Sequence, residues 1–332
     1  MDQSTLIRSA RFRKEREGDL LRLEALVTRA EKTGLRRMSF AEARDLAALY
    51  RQATSSLAIA REISLDKALL DYLEALTARA YLTVYAPQER LGGLVRRFLV
   101  SGAPRAMRAS WLYIALGFLS LGLGALAGYL LYFDSPTWYH TFVPRELAGG
   151  RGPDASTEFL RAQIFSDGED QGGFGAFAAF LFSNNTRIAF LAFGLGVLLC
   201  APAILLTFYN GLTLGAFVAL HVDRGLGWEL GGWLSIHGVT ELSAVAIACG
   251  GGLKLGAALL FPGQNTRRAA LLGAGRDAVK LALVAGLMLV AAAFLEGFGR
   301  QMVQDTTTRY AIGWTVGALW VAWVMLGGRR RA

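Results

Sequence analysis

The chain has 332 residues, 53% of them hydrophobic, with 35 Lys and Arg against 26 Asp and Glu and a net charge of +9. Its two cysteines, Cys200 and Cys249, lie inside apolar runs; this excludes a secreted disulfide framework, and no CxxC or Cys/His zinc spacing occurs. The basic balance invites a nucleic-acid reading, but membrane topology explains the charges better, so no nucleic-acid partner is expected.

Up to Arg108 the sequence carries 20 Lys and Arg against 13 Asp and Glu and reads as a soluble helical domain without a signal-peptide core. From 109 to 332 it contains apolar runs of the length that crosses a bilayer, about 20 residues each. The expected architecture is therefore all-α: an N-terminal cytosolic helical bundle (1–108) followed by a polytopic α-helical membrane domain (109–332).

In the front domain, a first helix through "LLRLEALVTRAEKTG" ends at Gly34. Ser39 and Glu42 of "SFAE" form a capping box that starts a second helix, with Leu46, Tyr50, Leu57 and Ala58 on one face. A third helix carries Leu69, Leu73, Leu76 and Ala80 at helical spacing and stops near Pro87. Beyond it, Arg90, Arg96, Arg97, Arg105 and Arg108 alternate with leucine and phenylalanine. Such a basic segment beside a span attracts anionic lipid.

Ser110 to Phe133 is the first expected span. The loop after it, 134–185, holds 3 Lys and Arg against 7 Asp and Glu, which puts it outside and the N-terminus in the cytoplasm. "GGFGAFAAFLFSNN" is too short to cross alone and is expected in the interface. Arg187 to Tyr209 crosses back, "YNG" (Tyr209 to Gly211) turns the chain, and Gly211 to Val222 is a short third crossing. Trp228 to Phe261 is too long for one straight span, so a break near Gly238 is expected. Asp277 to Phe298 and Tyr310 to Leu326 complete about six spans, one short and one broken, with both termini cytoplasmic. "NGLTLGAF" (210–217) matches "GGLKLGAA" (251–258) as an internal repeat or as two small-residue packing faces.

The ordered combination of "FSNNTRIAFLAFGLGVLL", "LLTFYNGLTLGAF" and "HGVTELSAVAIACGGGLKLG" resembles the stage II sporulation protein M (SpoIIM) family of bacterial integral membrane proteins. The resemblance rests on Asn184 and Asn185 before a span, the Tyr209-Asn210-Gly211 turn and the HGxxEL motif of His237 to Leu242. "LYRQATSSLAIAR" and "YLEALTARAYLTVY" in the front half resemble the long members of that family. The resemblance implies an inner-membrane component of an envelope complex of the peptidoglycan-remodelling type, beside separate hydrolases, or a partner of a MoxR-type ATPase system. It implies homo- or hetero-oligomeric assembly and transfers no catalytic residues.

The polar residues inside the apolar runs are the candidate site. His237 and Glu241, at i and i+4 in "SIHGVTEL", share one helix face. Ionisable groups in a bilayer are expensive and are functional candidates by default. Packing glue and a conduction or coupling site both remain open for them. Asn210 is read as a turn former before a ligand, and Lys254 as snorkelling to the cytoplasmic surface. Gly211 and Gly238 are structural, Gly238 by admitting a neighbouring backbone. Glu296 and Arg300 are spaced to pair. HExxH is absent, and only His221 could add a ligand to His237 and Glu241, so no metal, cofactor or enzymatic activity is expected. The two functional readings are a non-enzymatic envelope scaffold and a transporter or channel with its site at His237 and Glu241.

Overall fold

The computed structural model describes residues 3–62, 67–85, 91–165, 173–296 and 303–329, without the side chains of 3–13, 36, 91 and 173–181. The described residues contain no strand. The chain divides into two compact units, 1–94 and 95–332, each described below by itself.

The first unit packs α1 (Gln3–Thr33), α2 (Phe40–Glu62) and α3 (Lys67–Tyr85) around Leu23, Val27, Leu46, Leu73 and Leu76. Gly34 closes α1 with φ 83°, a left-handed conformation that glycine adopts without strain. The capping box forms: the Glu42 carboxylate accepts from the Ser39 N–H at 2.9 Å, while the Glu42 N–H donates to Ser39 Oγ at 3.3 Å. The buried stripe of α2 runs through Leu46, Ala53, Ser56 and Ala60, with Tyr50 and Leu57 half-buried. Ala58 is exposed, because the helix turns it off the stripe its leucines define. Pro87 and Arg90 lie outside the described residues.

Of the basic segment, Arg96, Arg97, Arg105 and Arg108 belong to the second unit. α4 (Leu91–Arg97) leads through a short π-turn into α5 (Ala103–Ala109), whose Ala103, Ala106 and Met107 sit in a core with Leu281, Val284 and Met288. Arg108 donates to the Val324 and Gly327 carbonyls, capping a helix C-terminus where cations are favoured.

α6 (Trp111–Asp134) is the first long apolar helix; short helices α7 (Trp138–Phe142), α8 (Arg145–Ala148) and α9 (Thr157–Phe165) follow. Then come α10 (Gly173–Gly196), α11 (Ala201–Asp223), α12 (Gly227–Leu260), α13 (Arg267–Phe294) and α14 (Thr306–Leu326). Among the described residues, α6, α11, α12, α13 and α14 are long and apolar enough to cross a membrane.

Three expectations about the spans change. The chain turns at Leu199 and Cys200, not at "YNG": their φ values are 60° and 70°, and the Ala201 N–H reaches the Leu199 carbonyl at 2.8 Å in a tight γ-turn. Pro202 explains the placement, since proline suits the first turn of a helix and disrupts its interior. Tyr209, Asn210 and Gly211 therefore lie inside α11, and the short third crossing becomes the second half of a 23-residue helix. Likewise, "GFGAFAAFLFSNN" (173–185) is the first half of α10 rather than a separate interfacial segment, so Asn184 and Asn185 sit midway along that helix.

The third change concerns α12, which is unbroken over 34 residues, about 51 Å at 1.5 Å per residue. Gly238 does not interrupt it, because neighbouring helices bury that part of α12 and keep its backbone in the helical hydrogen-bond ladder.

Glycines bring these helices together. Gly211 and Gly215 of α11 meet the backbone of α6, while Gly252 and Gly256 of α12 meet that of α10. Both halves of the repeated sequence thus present small residues to a neighbouring helix.

The acidic loop after α6 folds into a cap. Tyr139, Phe142, Leu160 and Ile164 form a core with Phe217, Leu220, Leu230 and Trp233 of α11 and α12. Arg224 donates to the Pro153 and Ala155 carbonyls, and Thr213 Oγ1 to the Phe142 carbonyl at 2.8 Å. Arg309 is buried, donating to the carbonyls of Val303 at 2.8 Å and Ile164 at 3.2 Å and lying 5.4 Å from the Phe165 ring.

Candidate functional site

A partly enclosed cavity of about 90 Å³ opens beneath the cap, between α10, α11 and α12. At roughly 10–15 Å³ of such volume per water it holds several waters. Asn184 and Asn185 reach it from α10, Asn210 from α11, and His237, Gly238 and Glu241 from α12. Relocating the turn to Leu199–Cys200 produces this convergence, since it places all three asparagines inside helices rather than at their ends.

The polar groups are incompletely paired. Asn185 Nδ2 donates to Glu241 Oε2 at 2.6 Å, linking α10 to α12. Glu241 is only 2% exposed, and its Oε1 has no hydrogen-bond partner. Asn210 Nδ2 is also buried without one. His237 is buried with its ring edge-on to Trp233, centroids 5.1 Å apart. A buried polar atom without a partner costs the full desolvation penalty of its group, which makes a polar cavity beside it a place for water or a ligand.

Gly238 does not admit a neighbouring backbone. A Cβ there would meet only Leu234 Cβ at 3.8 Å, so the glycine widens the cavity instead. Gly211 faces away from the cavity, against α6. His221 is buried under the cap with Nδ1 2.8 Å from the Phe217 carbonyl and does not line the cavity. Lys254 is elsewhere too, and it does not snorkel: its ammonium pairs with Asp277 of α13 at 2.8 Å and donates to Ser110 Oγ at 2.9 Å. A carboxylate on the next helix holds the half-buried ammonium, which loses part of its hydration there and is stabilised by pairing. Arg300 lies outside the described residues, and with it the expected pair to Glu296.

Sequence reasoning did not anticipate Thr213, Phe217, Trp233 or Leu147 as cavity walls. Leu147 comes from the cap, and nothing in its local sequence signals that placement. Among the described residues no group of three or more His, Cys, Asp and Glu could hold a metal ion.

A family model described as Stage II sporulation protein M matches residues 114–299, more than half of the chain and all of the cavity-bearing helices α10 to α12. Residues 10–86 match a separate domain of unknown function (DUF8413), so the N-terminal region carries a module of its own. No curated protein and no solved structure matches.

Proposed function

The chain belongs to the Stage II sporulation protein M family of membrane proteins, and we propose that it acts without catalysis by holding a small polar solute in the cavity between α10, α11 and α12, as a transporter or channel does. The observation that carries this reading is Glu241: a carboxylate 2% exposed, with one oxygen unpaired, facing a space large enough for water. Helix glue alone needs no such space, and hydrogen bonds between membrane helices average only about 0.6 kcal/mol. The protein sits in the bacterial cytoplasmic membrane with both termini inside, supported by the arginine-rich segment before α6 and the acidic segment after it.

The test is accessibility. In a background with Cys200 and Cys249 replaced by alanine, Leu214→Cys on the cavity wall should react with a small water-soluble methanethiosulfonate in native membranes. An unreactive Leu214→Cys, with exposed control cysteines labelled, refutes the reading.

A second reading is supported by the cap and the separate N-terminal module: a scaffold that binds envelope proteins through the cap and a MoxR-type ATPase system through the bundle. Removal of residues 1–94 should abolish recovery of the ATPase from detergent while envelope partners remain. If neither class of partner copurifies with the full chain, this second reading fails.

A further inference from the structure

We infer that the cavity beneath the cap is a site for a monovalent alkali-metal or ammonium cation. This rests on the reading of the cavity as a solute site and adds the chemistry of the solute.

Charge comes first. Among the described residues that line the cavity, Glu241 is the only carboxylate and none is Lys or Arg; His237 is the other titratable side chain on the wall. Arg151, whose guanidinium stands 5.6 Å from the Phe217 ring, donates to the Ala148 carbonyl and to Gln163, neither of which lines the cavity. An anion would meet a buried carboxylate with no permanently charged Lys or Arg on the described wall. A single positive charge instead compensates that carboxylate.

The donor set points the same way. Glu241 Oε1 is unpartnered, and Asn184, Asn185 and Asn210 contribute amides. A half-turn of the Asn210 amide presents Oδ1 where Nδ2 now has no partner. Carboxylate and amide oxygens are hard ligands suited to hard cations. A divalent ion of that kind is served by six to eight oxygens, usually from several carboxylates. One carboxylate leaves a divalent charge uncompensated, whereas a monovalent ion makes the site neutral. Size agrees: about 90 Å³ takes an ion with a few waters and lies well below the roughly 300–1,000 Å³ of pockets for larger organic ligands.

The competing source of positive charge is a proton, on Glu241 itself or on His237, so the experiment separates the proton from the metal or ammonium cation. The full chain in lipid nanodiscs is melted at pH 8 and constant ionic strength in sodium, potassium, ammonium or N-methyl-D-glucamine chloride, the last cation being too large for the cavity. At least one small cation should raise the melting temperature by several degrees, saturably, and Glu241→Gln should abolish the shift. Gly238→Ala adds a methyl that meets only Leu234 Cβ at 3.8 Å, so it should fold and move the cation midpoint at least fivefold higher. Identical melting in all four salts, with stabilisation only on lowering the pH, overturns the inference in favour of the proton. Retention of the shift in Glu241→Gln, or an unmoved midpoint in Gly238→Ala, also overturns it. Labelling of Leu214→Cys without any salt effect removes the cation and leaves the solute site standing. An unlabelled Leu214→Cys removes both.

Discussion

Gly211→Ala tests whether α6 and α11 meet backbone to backbone. A Cβ at Gly211 would lie 2.2 Å from the Leu121 carbonyl oxygen, 2.8 Å from the Ala125 nitrogen and 2.9 Å from Gly124 Cα. All three are backbone atoms, so no change of rotamer relieves the overlap. From the facing helix, a Cβ at Gly124 would lie 2.0 Å from the Phe208 carbonyl oxygen and one at Gly128 2.2 Å from that of Leu212. Restoring ordinary contact moves the helices apart by about 1 Å, which forfeits a quarter to a half of each affected dispersion contact. Overpacking of this kind costs about 1–3 kcal/mol or more, against up to about 1 kcal/mol of helix propensity gained by alanine. The expected net loss is about 1–2 kcal/mol. Gly122→Ala is the internal control, because nothing lies within 4 Å of its added Cβ; it should be neutral or stabilising by up to about 1 kcal/mol. Reversible unfolding in mixed micelles measures both. A Gly211→Ala protein as stable as Gly122→Ala refutes the packing argument.

Three further outcomes follow from the geometry. Arg309→Lys keeps the charge but loses the planar fork that serves Val303, Ile164 and Gln304, and it should cost about 1–3 kcal/mol and speed proteolysis within 145–165; unchanged proteolysis would show that the cap does not depend on Arg309. The Arg79 guanidinium holds the Glu31 carboxyl below its usual range, and the Ser39 N–H does the same for Glu42. Both contributions are therefore present above the ordinary value of 4.5 and fade as pH falls through the lower folded values, so helicity should decline on acidification with a weaker dependence in Glu42→Gln. Identical acid profiles by circular dichroism would count against the capping box as a source of stability. A cysteine at the exposed Asp154 should react with an impermeant thiol reagent from outside the cell, and one at Gln264 should not; labelling of both from one side would mean that the crossings are miscounted.

What the sequence disclosed depends on whether the signal was local. The capping box at Ser39 and Glu42 and the glycine stop at position 34 involve residues three or four apart, and both form as read. His237 and Glu241 stood out because ionisable residues are conspicuous in an apolar run. The turn at Leu199–Cys200 was hidden because "GVLLCAPAILL" is uniformly apolar and Pro202 is equally compatible with a kink. That one displaced turn concealed the convergence of Asn184, Asn185 and Asn210. The Lys254–Asp277 pair joins two helices, and the cap core combines residues separated by most of a helix hairpin; neither leaves a periodic trace. Gly238 was misread because a glycine that lets a backbone approach and one that leaves a void look the same in sequence.

The length of α12 has a mechanical corollary. At about 51 Å it exceeds a hydrocarbon layer of about 30 Å, and a tilt of about 40° still leaves a projection near 39 Å. The helix cannot shorten itself by leaning, since Leu230 and Trp233 anchor one end in the cap core and the Lys254–Asp277 bridge ties the other to α13. The excess length is therefore taken up by the cap, where Leu230 and Trp233 are covered by protein. A rigid strut of this kind fixes the height of the cap over the membrane-spanning helices, so the roof of the cavity and its floor move as one body.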